Sequence, residues 1–308
     1  MTVGNMGGAL PHTGIHIPGM LRRPGAYVGK RLRLTWGQVQ QIWRKPNSAH
    51  AAGSAINGAE LSKIVFFMSG VRSGSTVCRS MLATNPRVRD VGEIFNSDNP
   101  QGYYPFCARS IRNDPSLLFP ENVRRLFYLY LRSLEIDDRL VLVDIKYEHL
   151  GMLTEAWQLP FAKPVIVKWI EDLPCKVIHL RRRHFSSVVS NLIAIQTGVY
   201  HLARQESRAS APTGVQLNRS HLIDAISARA KIREFVEHAF PADRMFSLDY
   251  ESMFSNDSVF ESCVRTGFAQ FLGIDDDFQP IALLRKVIDK PLTEVVANYP
   301  EIADLQAL

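Results

Sequence analysis

The sequence predicts a three-layer α/β domain with a mostly parallel central sheet flanked by helices. Short, continuously apolar runs alternate with amphipathic stretches from Leu61 to the end of the chain, as expected for strands covered on both faces and joined by crossover helices. The first apolar run, "KIVFFM" (63–68), leads into a Gly/Ser/Arg loop and then an amphipathic segment, the order strand, anion-cradling loop, helix. Length and composition agree: 308 residues suffice for one large α/β domain or two small ones, and 46% hydrophobic and 21% charged are ordinary for a globular protein.

Residues 1–29 are rich in Gly, Pro and His and read as disordered. In "KRLRLTWGQVQQIWRK", Leu32, Trp36, Val39 and Trp43 fall at helical spacing, which predicts an amphipathic helix near 32–44, with Thr35 and Gln38 as a capping box. Such a basic helix packs on its own domain, docks on a partner or lies on an anionic membrane through residues 30–45. Its Arg-rich, acid-free composition is also that of an organellar transit peptide. "KPNSAHAAGSAINGA" (45–59) reads as a small-residue linker, so the chain divides into a basic extension, 1–60, and a domain, 61–308. Residues 1–59 hold seven basic and no acidic residues, leaving 29 basic and 30 acidic residues elsewhere. The net charge of +6 therefore belongs to the extension, and no nucleic-acid-binding surface is expected on the domain.

After 63–68, the pattern predicts a helix over 75–84 and strands over 87–92 and 140–147, with a helix over 121–135 between those strands. A helix over 163–173 precedes the strand 176–180; helices from 184 and over 219–239 precede a strand over 245–250; a helix over 257–272 leads to the tail. No stretch is long and apolar enough for a membrane span, and no secretory signal core is visible. The four cysteines are far apart, with no CxxC pair, which argues against zinc or a disulfide framework and for a reducing, cytoplasmic compartment. No metal-ligand cluster is visible.

The loop "GVRSGST" carries the chemistry. Laid on the Walker pattern, Ser69 and Gly74 take the glycine positions, Ser75 takes the lysine position and Thr76 follows. Consecutive N–H groups at a helix start still make an anion site; Gly74 admits close approach, and Ser75 and Thr76 are expected to cap the helix while donating hydroxyl bonds. This gives the domain its P-loop-like character. With the lysine absent and Arg72 bringing charge into the loop, a single phosphate-like anion fits better than a magnesium triphosphate. A second anion motif follows the strand "KVIHL": Arg182 at the strand exit and Ser190 eight residues on, inside the next helix.

These segments resemble the sulfotransferases that use 3′-phosphoadenosine 5′-phosphosulfate (PAPS). Arg72, Ser73, Gly74, Ser75 and Thr76 match that family's R-S-G-[ST]-T loop for the 5′-phosphosulfate, and Arg182 and Ser190 match its R-x7-S motif for the 3′-phosphate. "VVSNLIAIQTGVYH", "DIKYEHL", "GEIFN", "SLDYESM" and "KPLTEVVANYPEI" are similar to stretches of the bacterial nodulation-factor and trehalose-type carbohydrate branch. The similarity covers roughly 63–302 in patches. His149 stands where that branch has Gln, and R-R-R-H where many members have R-x-P.

The resemblance implies sulfuryl transfer from PAPS to a hydroxyl of a carbohydrate, glycolipid or other small acceptor, without a metal, by a homodimer. Glu93 follows the second strand, so its carboxylate should share the sheet edge with the loop; the resemblance makes it the base. Arg72 is the candidate for stabilising the bridging oxygen, Lys146 for assisting the leaving group or contacting the acceptor, and His184 is a weaker candidate base. Gln196, Thr197, Tyr200 and His201 are candidate acceptor contacts, and residues 98–120 and 200–220 the expected acceptor walls. Two other readings stand beside this one: a P-loop kinase of a small molecule, and a non-catalytic nucleotide-binding protein or membrane scaffold.

Overall fold

The computed structural model describes residues 61–154, 162–198, 202–203, 213–256, 259–279, 284–285 and 290–308. The expected N-terminal helix near 32–44, its linker, Tyr200 and His201 lie outside the described residues.

Five parallel strands form the central sheet: β1 (Ile64–Ser69), β2 (Val88–Glu93), β3 (Leu140–Lys146), β4 (Lys176–Arg181) and β5 (Met245–Asp249), in the order β2-β3-β1-β4-β5. β1 is the middle strand and all six of its residues are buried. Its alternate side chains divide between two cores. Ile64, Phe66 and Met68 meet Tyr103, Phe127 and Trp169 on one face, while Val65 and Phe67 meet Cys78, Leu82 and Phe268 on the other. An unbroken apolar run is therefore what this position requires, each buried phenylalanine contributing about 1.5–3 kcal/mol.

The crossover helices are α1 (Ser75–Leu82), α2 (Tyr103–Asn113), α3 (Val123–Leu134), α4 (Val165–Glu171), α5 (His184–Thr197), α6 (Arg219–Ala239) and α7 (Ser262–Leu272). Among the described residues no helix is long and apolar enough to cross a membrane. A third apolar cluster joins α5 and α6 to the C-terminal residues Val295, Val296, Ile302 and Leu305.

One element was not expected from the pattern, and one boundary is corrected. Residues 103–113, inside the stretch 98–120 expected as an acceptor wall, form α2. Pro105 sits in its first turn, where a missing N–H costs nothing, and the Tyr103 ring packs edge-on against Phe127 and Tyr130 at 6.0 and 5.4 Å. The helix expected over 257–272 begins only at Ser262, because Phe254–Asn256 and Val259–Phe260 pair as a short antiparallel ladder ahead of it.

Register decides what meets at the carboxyl edge of the sheet. Ser69 lies opposite Lys146 on one side and Leu180 on the other. β2 and β3 are in step at Asp90 and Leu142, then shift so that Glu93 faces Asp144. One extra residue has entered β2. Gly92, at φ 81°, sits in this bulge, where a side chain would be strained. The bulge moves Glu93 into the place that residue 92 would otherwise occupy.

Candidate functional site

The loop between β1 and α1 is set by two residues of positive φ, Arg72 (60°) and Gly74 (86°). For arginine this conformation costs about 1–3 kcal/mol and persists only where the surroundings impose it. Gly74 is the N-cap of α1 and has no side-chain capping bond. The expected capping by Ser75 and Thr76 is therefore not how this helix starts. The first backbone bond of the helix is Cys78 N–H to the Gly74 carbonyl at 3.1 Å, so the earlier N–H groups face out of the helix end, where an anion is favoured.

The Ser75 hydroxyl instead accepts a bond from Lys146 Nζ. Lys146 is 2% exposed; its ammonium also donates to Ser69 Oγ at 3.3 Å and to Asp144 Oδ2 at 2.7 Å. The cation absent from the Walker lysine position thus reaches the same turn from β3. Asp144, fully buried, is held between this ammonium and Arg79 Nε, 2.8 Å away, and Arg79 continues to Asp90 on β2. Removing one member of such a network leaves an uncompensated buried charge, at about 3–5 kcal/mol. Glu93 closes the cluster, with Oε1 3.6 Å from Lys146 Nζ and 29% of its side chain exposed. Two of the three expected catalytic residues, Glu93 and Lys146, therefore adjoin each other and the loop that carries the third, Arg72.

The second motif arrives from β4 and α5. Arg182 Nη1 donates to the Arg72 carbonyl at 2.5 Å, and Arg72 Nε donates to Ser190 Oγ at 3.4 Å. Arg72 thus joins both anion motifs, across 110 and 118 residues of sequence. Arg182 also lies over the Tyr250 ring, 4.7 Å from its centroid. Partial burial is the main influence on its guanidinium and pushes its pKa down; an arginine remains charged even so, and a half-buried cation gains from an anionic ligand. Of its neighbours in the arginine triplet, Arg181 pairs with Asp249 at 2.7 Å, while Arg183 is exposed.

A recess behind the loop is lined by Gly70, Ser73, Arg182, His184, Ser187 and Arg229. His184 opens α5. Burial first, then the Arg233 and Arg229 charges, lower its pKa and favour neutral imidazole. Gln196 and Thr197 are at the other end of that helix, roughly 9 Å beyond Ser190 at ~1.5 Å per residue. Gln196 Nε2 donates to the Gln216 carbonyl at 3.0 Å and Thr197 Oγ1 to that of Ile193 at 2.8 Å. The structure does not gather this pair with the loop residues.

Sequence reasoning missed Arg229 of α6, 7% exposed. Its Nη1 donates to Ser187 Oγ at 2.6 Å and its Nη2 to Glu148 Oε1 at 2.5 Å. An arginine among "SARAKIR" carries no signal of this; only its place on the inner face of α6 does.

Gly74→Ala tests the loop. The added Cβ would overlap Cε2 of Tyr250 at a φ that alanine resists, displacing the ring that carries Arg182. A loss of about 1–3 kcal/mol in stability is expected in thermal melts, with anion binding weakened alongside. An unchanged melt would show that the loop relaxes freely.

No protein-family model and no curated protein matches the chain. Among solved structures, it is similar to the sulfotransferase domain from the curacin biosynthetic pathway, at 17% identity and TM-score 0.44 over 70% of this chain and 75% of that one. It is also similar to a sulfotransferase from Alicyclobacillus acidocaldarius, at 13% identity and TM-score 0.43 over 79% and 90%. A third is mouse sulfotransferase SULT7A1 complexed with PAP, at 14% identity and TM-score 0.38 over 70% and 60%.

Proposed function

We propose that the protein transfers a sulfuryl group from PAPS to a hydroxyl of a carbohydrate, glycolipid or other small acceptor. The observation that carries this reading is the double engagement of Arg72, whose guanidinium meets Ser190 and whose carbonyl meets Arg182. A donor with phosphate groups at both ends of one ribose needs two anion sites this close together.

In this reading the N–H groups at the start of α1, with Arg72, hold the phosphosulfate, while Arg182 and Ser190 hold the 3′-phosphate. The acceptor oxygen attacks sulfur in line as the bond from sulfur to the bridging oxygen breaks, and adenosine 3′,5′-bisphosphate departs. Glu93 takes the acceptor proton. Lys146, fixed by Asp144 and Ser75, offsets charge developing on the bridging oxygen.

A kinase reading gains from Lys146, because an ammonium at Ser75 restores the cation that the loop lacks. It loses from Asp144: this carboxylate at the end of β3 would be the one to meet a magnesium ion, yet it is held between Arg79 and Lys146. Calorimetric titration with adenosine 3′,5′-bisphosphate and with ADP plus magnesium separates the two. Tighter binding of the bisphosphate is expected; preference for magnesium ADP would overturn the proposal. Labelled sulfate transfer from PAPS across a panel of glycans, lipids and phenols then identifies the acceptor.

A further inference from the structure

The geometry points to Arg229 and Glu148 as a clamp that positions the phosphate-binding loop without touching its ligand, an inference that rests on reading this loop as the donor site. Val71 is the residue on which the pair acts. Its N–H donates to Glu148 Oε2 at 3.1 Å, and its carbonyl accepts from Arg229 Nη1 at 3.4 Å. Both polar groups of one residue are thus held by a single ion pair, Arg229 Nη2 to Glu148 Oε1 at 2.5 Å. The next residue is Arg72, whose left-handed backbone needs an external cause.

The clamp supplies that cause from one side, and Arg182 at the Arg72 carbonyl supplies it from the other. Arg229 is itself anchored by Ser187 on α5. Gly70 passes so close that a Cβ there would stand 3.1 Å from Arg229 Nε. The fork is occupied by Ser187, Val71 and Glu148, all within the protein. It therefore differs from Arg182, whose described contacts are one carbonyl and one aromatic ring. Arg229 acts through the loop, as a positioning residue.

Charge gives the test its sign. Glu148→Gln removes a negative charge beside an anion site, so electrostatics alone would tighten binding or leave it unchanged. A clamp predicts the reverse. Calorimetry of the full-length chain with adenosine 3′,5′-bisphosphate should show roughly tenfold weaker binding for Glu148→Gln. Amide hydrogen exchange over residues 70–77 should be faster in the variant, with a modestly lowered thermal melt, since Arg229 keeps Ser187 and the Val71 carbonyl as partners. Arg229→Gln should weaken binding comparably, and the double variant no further, since the two act as one unit. Unchanged or tighter binding in Glu148→Gln, or unaltered exchange, overturns the clamp. Should Arg229→Gln fail to fold, Glu148→Gln decides alone, its side chain being 38% exposed. If the wild-type protein prefers magnesium ADP, the donor reading fails and the same comparison is made with that ligand. If it binds neither, the exchange measurement decides.

Discussion

Glu93→Gln is expected to lower turnover at least about 10²-fold while leaving the binding of adenosine 3′,5′-bisphosphate intact or slightly tighter. The amide keeps the shape of the side chain but cannot take the acceptor proton. Its surroundings explain why binding should survive. The carboxylate lies 3.6 Å from Lys146 and is partly open to solvent, and removing its charge makes the donor pocket more positive. Stability should fall by only about 0–1 kcal/mol, because Glu93 is partly exposed and Lys146 keeps Asp144, Ser69 and Ser75 as partners. Sulfuryl-transfer kinetics beside a bisphosphate titration supply the check. Retained turnover would move the base elsewhere, with His184 next in line; a parallel collapse of binding would show that Glu93 supports the donor site.

Arg182→Ala is expected to act in the opposite way, raising the donor KM roughly 10- to 150-fold with a smaller effect on kcat. Loss of a charged phosphate contact costs about 1.5–3 kcal/mol, and each 1.4 kcal/mol is a factor of ten. The side chain also holds the Arg72 carbonyl and covers Tyr250, so the upper half of that range is anticipated. A kcat loss with an unaltered KM would place Arg182 at the reacting centre instead. Measured against adenosine 5′-phosphosulfate, which lacks the 3′-phosphate, wild type and variant should differ much less. That comparison isolates the 3′-phosphate contact from the role of Arg182 in holding the loop.

Local chemistry made several elements readable. The run Ile64–Met68 is apolar throughout because β1 is covered on both faces, and α6 spans 219–239 as its periodicity predicts. Helix α2 was not readable, because its aromatic residues gain their helical geometry from partners on α3. The loop and the Arg182–Ser190 spacing were also legible, since an anion site of backbone N–H groups and a helix-borne serine leaves a short, local pattern.

By itself, then, the sequence determined the alternation of strand and helix, the R-S-G-S-T loop, and the candidacy of Glu93, Lys146, Arg182 and Ser190. Only the tertiary structure decided how these meet. It threaded a bulge at Gly92 that sets Glu93 opposite Asp144, brought Lys146 to the turn where Ser75 occupies the Walker lysine position, and laid Arg229 against Val71 across 158 residues. The physical reason is the range of the forces involved. Periodicity and capping act within a few residues of chain, whereas strand register and the pairing of buried charges depend on which segments the core brings side by side.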